Sequence, residues 1–273
     1  MPSVLIVVAH PDDAEVKAAG TTALWARQGF RITFGIMTDG SAGHQSMAVG
    51  ELIRRREAEA REGARRLGAE VEMLGYPDGL LTPSLEARLD VIRLIRRVQP
   101  DLVLTHRPAD YHPDHRYTGQ LVQDAAYMVT VPRIASDTPA LSRNPIFGYL
   151  SDRFSQPVPF RPDVVVPIDS VLDRVIDSLD AHESQFYEWL PFNMGIIEQV
   201  PADPAARPAL LRDWFLGRYA LRASEFPAVG DSPKGEFVEA FEISEYGAPL
   251  TAEARARLFP FAGSPPTNGH RHA

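Results

Sequence analysis

The sequence predicts an α/β fold, a mostly parallel sheet with helices on both faces. Three observations carry that prediction. Short apolar, β-branched runs such as 4–8 and 102–105 lack the polar alternation of a half-exposed strand, so they suit strands covered on both sides. Helix-patterned segments separate these runs in a βαβα alternation, the pattern of a parallel sheet with crossover helices. The composition, 44% hydrophobic and 23% charged over 273 residues, is that of a soluble globular chain able to bury a sizeable core.

The elements follow in order. Residues 4–8 form the first strand and run into the turn cluster His10-Pro11-Asp12-Asp13. A helix over roughly 14–28 closes at Gly29. Residues 31–38 make a second strand, broken by Asp39-Gly40-Ser41. The stretch 50–67 is rich in Glu, Arg and Ala, strong helix formers, and stops at Gly68. A short strand is expected at 71–74. Leu85, Leu89, Ile92 and Ile95 recur at helical spacing over 85–98, and Pro100 ends that helix. Residues 102–105 form another buried strand, again followed by a loop with histidines. Beyond residue 130 the pattern becomes irregular and proline-rich, with a strand at 164–168, a helix at 171–182 and a late strand at 237–243. One domain over 1–262 and a frayed tail over 263–273 is the expected organisation.

Composition excludes several classes. A net charge of -8 and a pI near 5.5 argue against a general nucleic-acid binder, which shows a basic face. With no cysteine there is no disulfide, thiolate metal site or thiol nucleophile. The N-terminal apolar run is far too short to span a bilayer and follows no basic leader, so a cytoplasmic location is the expectation.

Ligands of parallel sheets sit at the carboxyl ends of the strands. Two histidine loops fall there. In the first, His10 and Asp13 are three apart, so they share a face where the loop turns into a helix, while Asp12 points elsewhere. The second, His112-Pro113-Asp114-His115, repeats that spacing with a histidine at each end. Imidazole and carboxylate suit zinc, and three protein ligands plus water is the catalytic arrangement. Asp12 beside that water is a candidate general base. Either loop alone could be a turn with a helix cap; two at equivalent strand ends are harder to dismiss. Spacing does not choose between His112 and His115 as the ligand. His106 lies at the strand end and can be structural.

The stretch VLIVVAHPDDAE, then Gly20-Thr21, Thr38-Asp39-Gly40 and His112-Pro113-Asp114-His115, resembles the PIG-L family, also called LmbE-like deacetylases. Arg56, Glu59, Leu67 and Gly68 fit that family's Arg/Glu helix, and His182-Glu183-Ser184-Gln185 and Glu239-Ala240-Phe241 continue the likeness, so it spans roughly 4–243. The resemblance implies a Rossmann-like fold and a zinc-dependent N-deacetylase of amino sugars. It implies that His10, Asp13 and His115 hold one catalytic zinc ion. It further makes Asp12 the general base and His112 the residue that acts as the acid or, when protonated, stabilises the oxyanion. It places Arg56 on the substrate, the alternative being a solvated helix face within Arg54-Arg55-Arg56. Asp110 is placed beside the substrate too, and could orient His112 through a hydrogen bond or be a plain turn residue. A homo-oligomer, trimer or hexamer, is a further implication. The chain departs from the family's Gly-x-Gly-Gly-Thr pattern. Lys17-Ala18-Ala19-Gly20-Thr21 stands there, and Lys17 either points to solvent or contacts an acidic substrate.

Four competing readings remain at this level. A non-sugar amide is one alternative substrate. A metal-dependent phosphoesterase would want more ligands than these loops provide. A nucleotide carrier would want a glycine-rich turn where two carboxylates stand. A catalytically dead binding module is disfavoured because all five catalytic positions are intact. Phe186, Tyr187, Trp189 and Phe192 could line a pocket, form an interface or be ordinary core. His270 and His272 in the tail are expected to bind metal only adventitiously.

Overall fold

The computed structural model describes residues 1–226 and 235–262. The predicted tail, with His270 and His272, lies outside the described residues. The first half of the chain alternates β1 (Ser3–Val8), α1 (Asp13–Arg27), β2 (Arg31–Thr38), α2 (Val49–Leu67), β3 (Glu70–Tyr76), α3 (Leu85–Val98), β4 (Leu102–Thr105) and α4 (Pro113–Met128). The second half carries β5 (Ile146–Leu150), β6 (Val164–Pro167), α5 (Leu172–Asp180), α6 (Leu190–Asn193), α7 (Arg207–Trp214), β7 (Leu221–Arg222), β8 (Phe237–Gly247) and α8 (Ala252–Leu258).

These strands form a single mixed sheet in the order β3-β2-β1-β4-β5-β8-β6, with β7 also on β8. Strands β1 to β5 pair in parallel. β8 runs antiparallel to β5, β6 and β7. The central strand shows why its sequence is apolar without alternation. Val4, Ile6 and Val8 join one core layer, while Leu5 and Val7 join the other. Helices α1, α2 and α5 cover the first layer, and α3 and α4 the second. Among the described residues no helix is long and apolar enough to cross a membrane.

Helix ends follow the sequence signals. Gly68 closes α2 in the left-handed conformation at φ 83°, which costs glycine little. Helix α1 is less regular. Ala18 leaves helical geometry at φ -147°, and the break frees the N–H groups of Gly20 and Thr21. Both donate to the buried Glu239 carboxylate of β8, at 2.7 Å each. A Cβ on Gly20 would lie 2.5 Å from Ile168 Cγ2, so the helix can approach β6 this closely only with glycine there. Glu239 thus caps the second half of α1 from a strand 219 residues away.

The structure corrects the reading of α3. Leu85, placed on its apolar stripe, is exposed, while the predicted Ile92 and Ile95 are buried on a face that also takes in Ala87, Val91, Leu94 and Val98. Arg96 is buried on this helix as well, 2% exposed. Its guanidinium donates to the carbonyls of Met128, Val129, Val131, Ile134, Ala135 and Thr138 at 2.7–3.1 Å. Met128, Val129, Val131 and Ala135 also accept a backbone N–H there, while Ile134 O and Thr138 O depend on the guanidinium.

Candidate active site

Every parallel strand delivers a loop to one cleft of about 460 Å³. His10, Asp12 and Asp13 follow β1, Gly43 follows β2, and Asp78 follows β3. Asp110, His112 and His115 follow β4, and Asp152 follows β5. The site is therefore a product of sheet topology, at the end where such sheets bind ligands.

His10 Nδ1 and His115 Nε2 face each other at 3.2 Å. Asp13 closes the triangle, its carboxylate 3.3 Å from the first nitrogen and 3.4 Å from the second. The outer ring nitrogens are held separately. His115 Nδ1 pairs with Asp110 Oδ1 at 3.0 Å. His10 Nε2 lies 3.2 Å from Asp78 and 3.3 Å from Asp114. With those outer nitrogens donating, the two inner nitrogens present lone pairs to one point beside a carboxylate. Two lone pairs this close repel unless a cation stands between them. Tetrahedral zinc with bonds near 2.0–2.1 Å has donor–donor edges of about 3.3 Å, so this donor set fits that ion. Burial lowers His115, but the Asp13 charge and the Asp110 hydrogen bond outweigh it and push it up to about 9. Burial works the other way on Asp13, yet the His115 charge beside it holds it well below the usual carboxylate range. Protons and a divalent ion compete for these lone pairs, so metal binding releases protons.

Three other groups of three also bring ligand atoms within 4.8 Å: His10 with His112 and His115, Asp13 with His106 and His115, and His10 with Asp78 and Asp114. His106 is the structural member that the sequence allowed for. Its Nε2 accepts from Ala9 N at 3.1 Å and its ring stacks on His115 with centroids 4.2 Å apart. Burial and the His115 charge lower it to about 4, so it stays neutral.

Asp12 lines the same cleft as His10 and His115. Its backbone sits at φ 155° and ψ -20°, a conformation rare for a side-chain-bearing residue, which costs about 1–3 kcal/mol. Arg56 Nη2 lies 3.4 Å from its carboxylate. Burial raises Asp12 to about 6, against the lowering charge of Arg56. The solvated-face alternative for Arg56 is wrong. The residue is 3% exposed, donates to Gly40 O and Pro11 O, and lies 3.5 Å from Asp78. A Cβ on Gly43 would meet its Nη1 at 2.7 Å, which explains a glycine there.

Two expectations shift. Asp110, expected to orient His112 through a hydrogen bond or to be a plain turn residue, accepts from the His112 backbone N–H and with the same Oδ1 holds the His115 ring. His112 caps α4, its Nδ1 accepting from Asp114 N at 3.2 Å. The proton of a neutral ring then sits on Nε2. Burial and the neighbouring His10 and His115 charges lower His112, so the neutral ring is the favoured form, not the protonated one. Of the aromatic residues, Trp189 and the buried Phe186 line the cleft, Tyr187 is core and Phe192 is exposed. Asp78, one of the acids beside His10, escaped the sequence reading, since Pro77-Asp78-Gly79 looks like any turn. Its place at the end of a parallel strand was the only available signal.

The family model "PIG-L: GlcNAc-PI de-N-acetylase" matches residues 5–126. A 1D-myo-inositol 2-acetamido-2-deoxy-alpha-D-glucopyranoside deacetylase of Acidothermus cellulolyticus is 32% identical over 240 residues, covering 70% of this chain and 82% of that protein. The chain belongs to the PIG-L/LmbE-like deacetylase family. Among solved structures, the N,N'-diacetylchitobiose deacetylase of Pyrococcus horikoshii superposes with a TM-score of 0.68 at 25% identity, over 89% of this chain and 83% of that one. Not every PIG-L relative is a deacetylase. The 4-oxalmesaconate hydratase of Pseudomonas putida KT2440 is 27% identical over 195 residues, 68% of this chain and 75% of that protein. At family level, membership and the His/Asp cluster together support metal-dependent deacetylation of acetamido substrates.

Proposed function

We propose that this protein is a zinc-dependent hydrolase that removes the N-acetyl group from an amino sugar of the N-acetylglucosamine type. One observation carries the reading. His10 Nδ1, His115 Nε2 and the Asp13 carboxylate converge within 3.4 Å of one another, with Asp12 lining the same cleft. His10, Asp13 and His115 would hold the ion. When bound, zinc there polarises the acetyl carbonyl and lowers the pKa of water.

The chain's own groups do the rest. Asp12, raised to about 6, is ionised near neutral pH yet basic enough to take a proton from the attacking water. Arg56 holds Asp12 from behind and fixes the Asp12 turn through Pro11 O. The Nε2–H of neutral His112 is the donor for the developing oxyanion, preorganised because Nδ1 is tied to the start of α4. Asp12, once protonated, is placed to return its proton to the leaving amine. Acetate and a free amine are the products. The sugar specificity is inferred from what the named relatives act on.

The test measures acetate release from N-acetylglucosamine, its dimer, and inositol- and thiol-linked forms, together with metal content. Wild type loaded with zinc is expected to release acetate from at least one of them. Asp12→Asn should keep the metal and lose turnover by about 10²–10⁴-fold, the usual worth of a general base. His115→Ala should lose the metal. Full metal content in the latter, or undiminished turnover in the former, sinks the assignment.

A further inference from the structure

Most charged groups that wall the cleft are matched. Arg56 faces Asp12 and Asp78, and Lys17, donating to Ser151 O at 3.0 Å, lies among the charges of Asp13, Asp110 and Asp152. A neutral side chain in the same wall is only half used. Gln185 stands on the π-helical turn 184–189, where the Leu190 N–H reaches back five residues to the Gln185 carbonyl. The residue is 3% exposed and lines the cleft.

The Gln185 amide has one possible orientation. Its Nε2 donates to Gly43 O at 3.0 Å and to Ser184 Oγ at 3.1 Å. A backbone carbonyl only accepts. Ser184 Oγ gives its one proton to the Glu59 carboxylate at 2.5 Å, so towards Gln185 it accepts too. Glu59 is fixed in turn by Ser184 N and Arg55 Nε, each at 3.0 Å. Turning the amide over would set its oxygen against two acceptors. Both N–H groups are therefore engaged, and among the described residues Oε1 has no donor. An acceptor on a side chain this deeply buried is costly to leave unpaired, so its partner comes from what fills the cleft.

Position says which partner. A Cβ on Gly43 would lie 3.3 Å from Gln185 Oε1 and 2.7 Å from Arg56 Nη1. Glycine there leaves the oxygen uncovered, on the Arg56 side of the cleft. Arg56 in turn sits 3.4 Å from Asp12. Asp12 is the group that returns a proton to the leaving nitrogen in the proposed reaction, so the substrate nitrogen lies on this side.

We infer that Gln185 Oε1 accepts the N–H of the scissile amide, and that this bond makes the cleft selective for secondary amides over acyl groups with no N–H, esters above all. Gln185 determines specificity; it neither holds the ion nor moves a proton. Which substrate atom the oxygen meets rests on the proposed deacetylase activity; the direction in which the amide points does not.

Dissociation constants test this on zinc-loaded Asp12→Asn protein, where acetate release is not the readout. The probes are two matched pairs, N-acetylglucosamine with 2-O-acetylglucose and acetanilide with phenyl acetate. Within each pair an N–H becomes an oxygen. The amide should bind roughly ten- to a hundred-fold more tightly than its ester, since the ester leaves Oε1 without a donor. Adding Gln185→Met should bring that ratio towards one. Mere loosening of the Gly43 loop would weaken both members of a pair alike and leave the ratio where it was. Ser184→Ala removes one of the two acceptors that fix the amide, so it should lower the ratio part of the way, and it serves if Gln185→Met does not fold. Equal binding within both pairs, tighter binding of the esters, no binding of any of the four, or a ratio that Gln185→Met leaves intact overturns the inference. Acetate release by wild type tells its failure from that of the parent activity. Amide hydrolysis with equal binding of amide and ester removes only the role of Gln185, whereas hydrolysis of esters alone removes the deacetylase as well.

Discussion

Asp110 shows how far a single carboxylate reaches. It touches none of the converging donor atoms, yet it receives the His115 ring and the His112 backbone N–H together. Partners of this kind set tautomer and ring orientation. Asp110→Asn is expected to weaken metal affinity about 10–100-fold while leaving the fold intact, as read by competition against a chromophoric chelator. Unchanged affinity would show that His115 is held by packing on His106 alone. The same scale shows what a sequence can and cannot reveal. His10, Asp13 and His115 were legible because a paired motif concentrates scarce histidines at two strand ends. The role of Asp110 was not, since a carboxylate two residues from one histidine and five from another favours neither on spacing. Asp78 was invisible because its turn is chemically ordinary until the third strand is placed in the sheet beside the second.

At the scale of an element, α1 owes its broken path to Glu239. Burial raises that carboxyl to about 7 from 4.5, although the N–H bonds from Gly20 and Thr21 pull it down. The sign follows from which state lets go of its proton first. Below pH 4.5 both the folded and the unfolded chain hold it. Between 4.5 and 7 the unfolded chain has released it and the folded chain has not, so stability falls as pH rises. Above 7 the loss is complete, at about 3 kcal/mol. Denaturation profiles of wild type and Glu239→Gln should therefore diverge across that window, the difference in unfolding free energy shifting against wild type as pH rises. A difference that does not change with pH would mean the carboxyl titrates normally. The break itself could not be read from Ala18-Ala19-Gly20, which are compatible with a straight helix. It depends on a strand that arrives more than two hundred residues later.

Across the whole molecule, the first and second histidine loops lie 105 residues apart, and only the folded sheet brings them together. An ion held there binds the native chain and not the unfolded one. Removing it with a chelator should lower the melting temperature by roughly 10 °C, as expected for an ion present at about a thousand times its dissociation constant, and zinc should restore it. No shift, with metal loss verified, would place the ion elsewhere. The parallel half of the sheet was legible because doubly covered strands are unbroken apolar runs. In the rest of the sheet β6 and β8 were legible at 164–168 and 237–243, and β5 and β7 were not. β5 contains a glycine and is only five residues long, β7 is two residues long, and the prolines around them hide the period. The helix after the second histidine loop was equally hidden, its apolar face interrupted by His115, Thr118 and Gly119, which face the site and β4.

The buried Arg96 carries one more consequence. Its guanidinium and the segment 128–138 stand to each other as guest and host, the carbonyls enclosing the cation as a crown ether encloses potassium. Hosts of this type are specified by backbone path, not by side chains. The segment should thus accept most substitutions but no change of length, since one residue more or fewer breaks the convergence of its oxygens on one guanidinium. Its tolerance to editing is set from outside, by a residue on a helix it does not belong to.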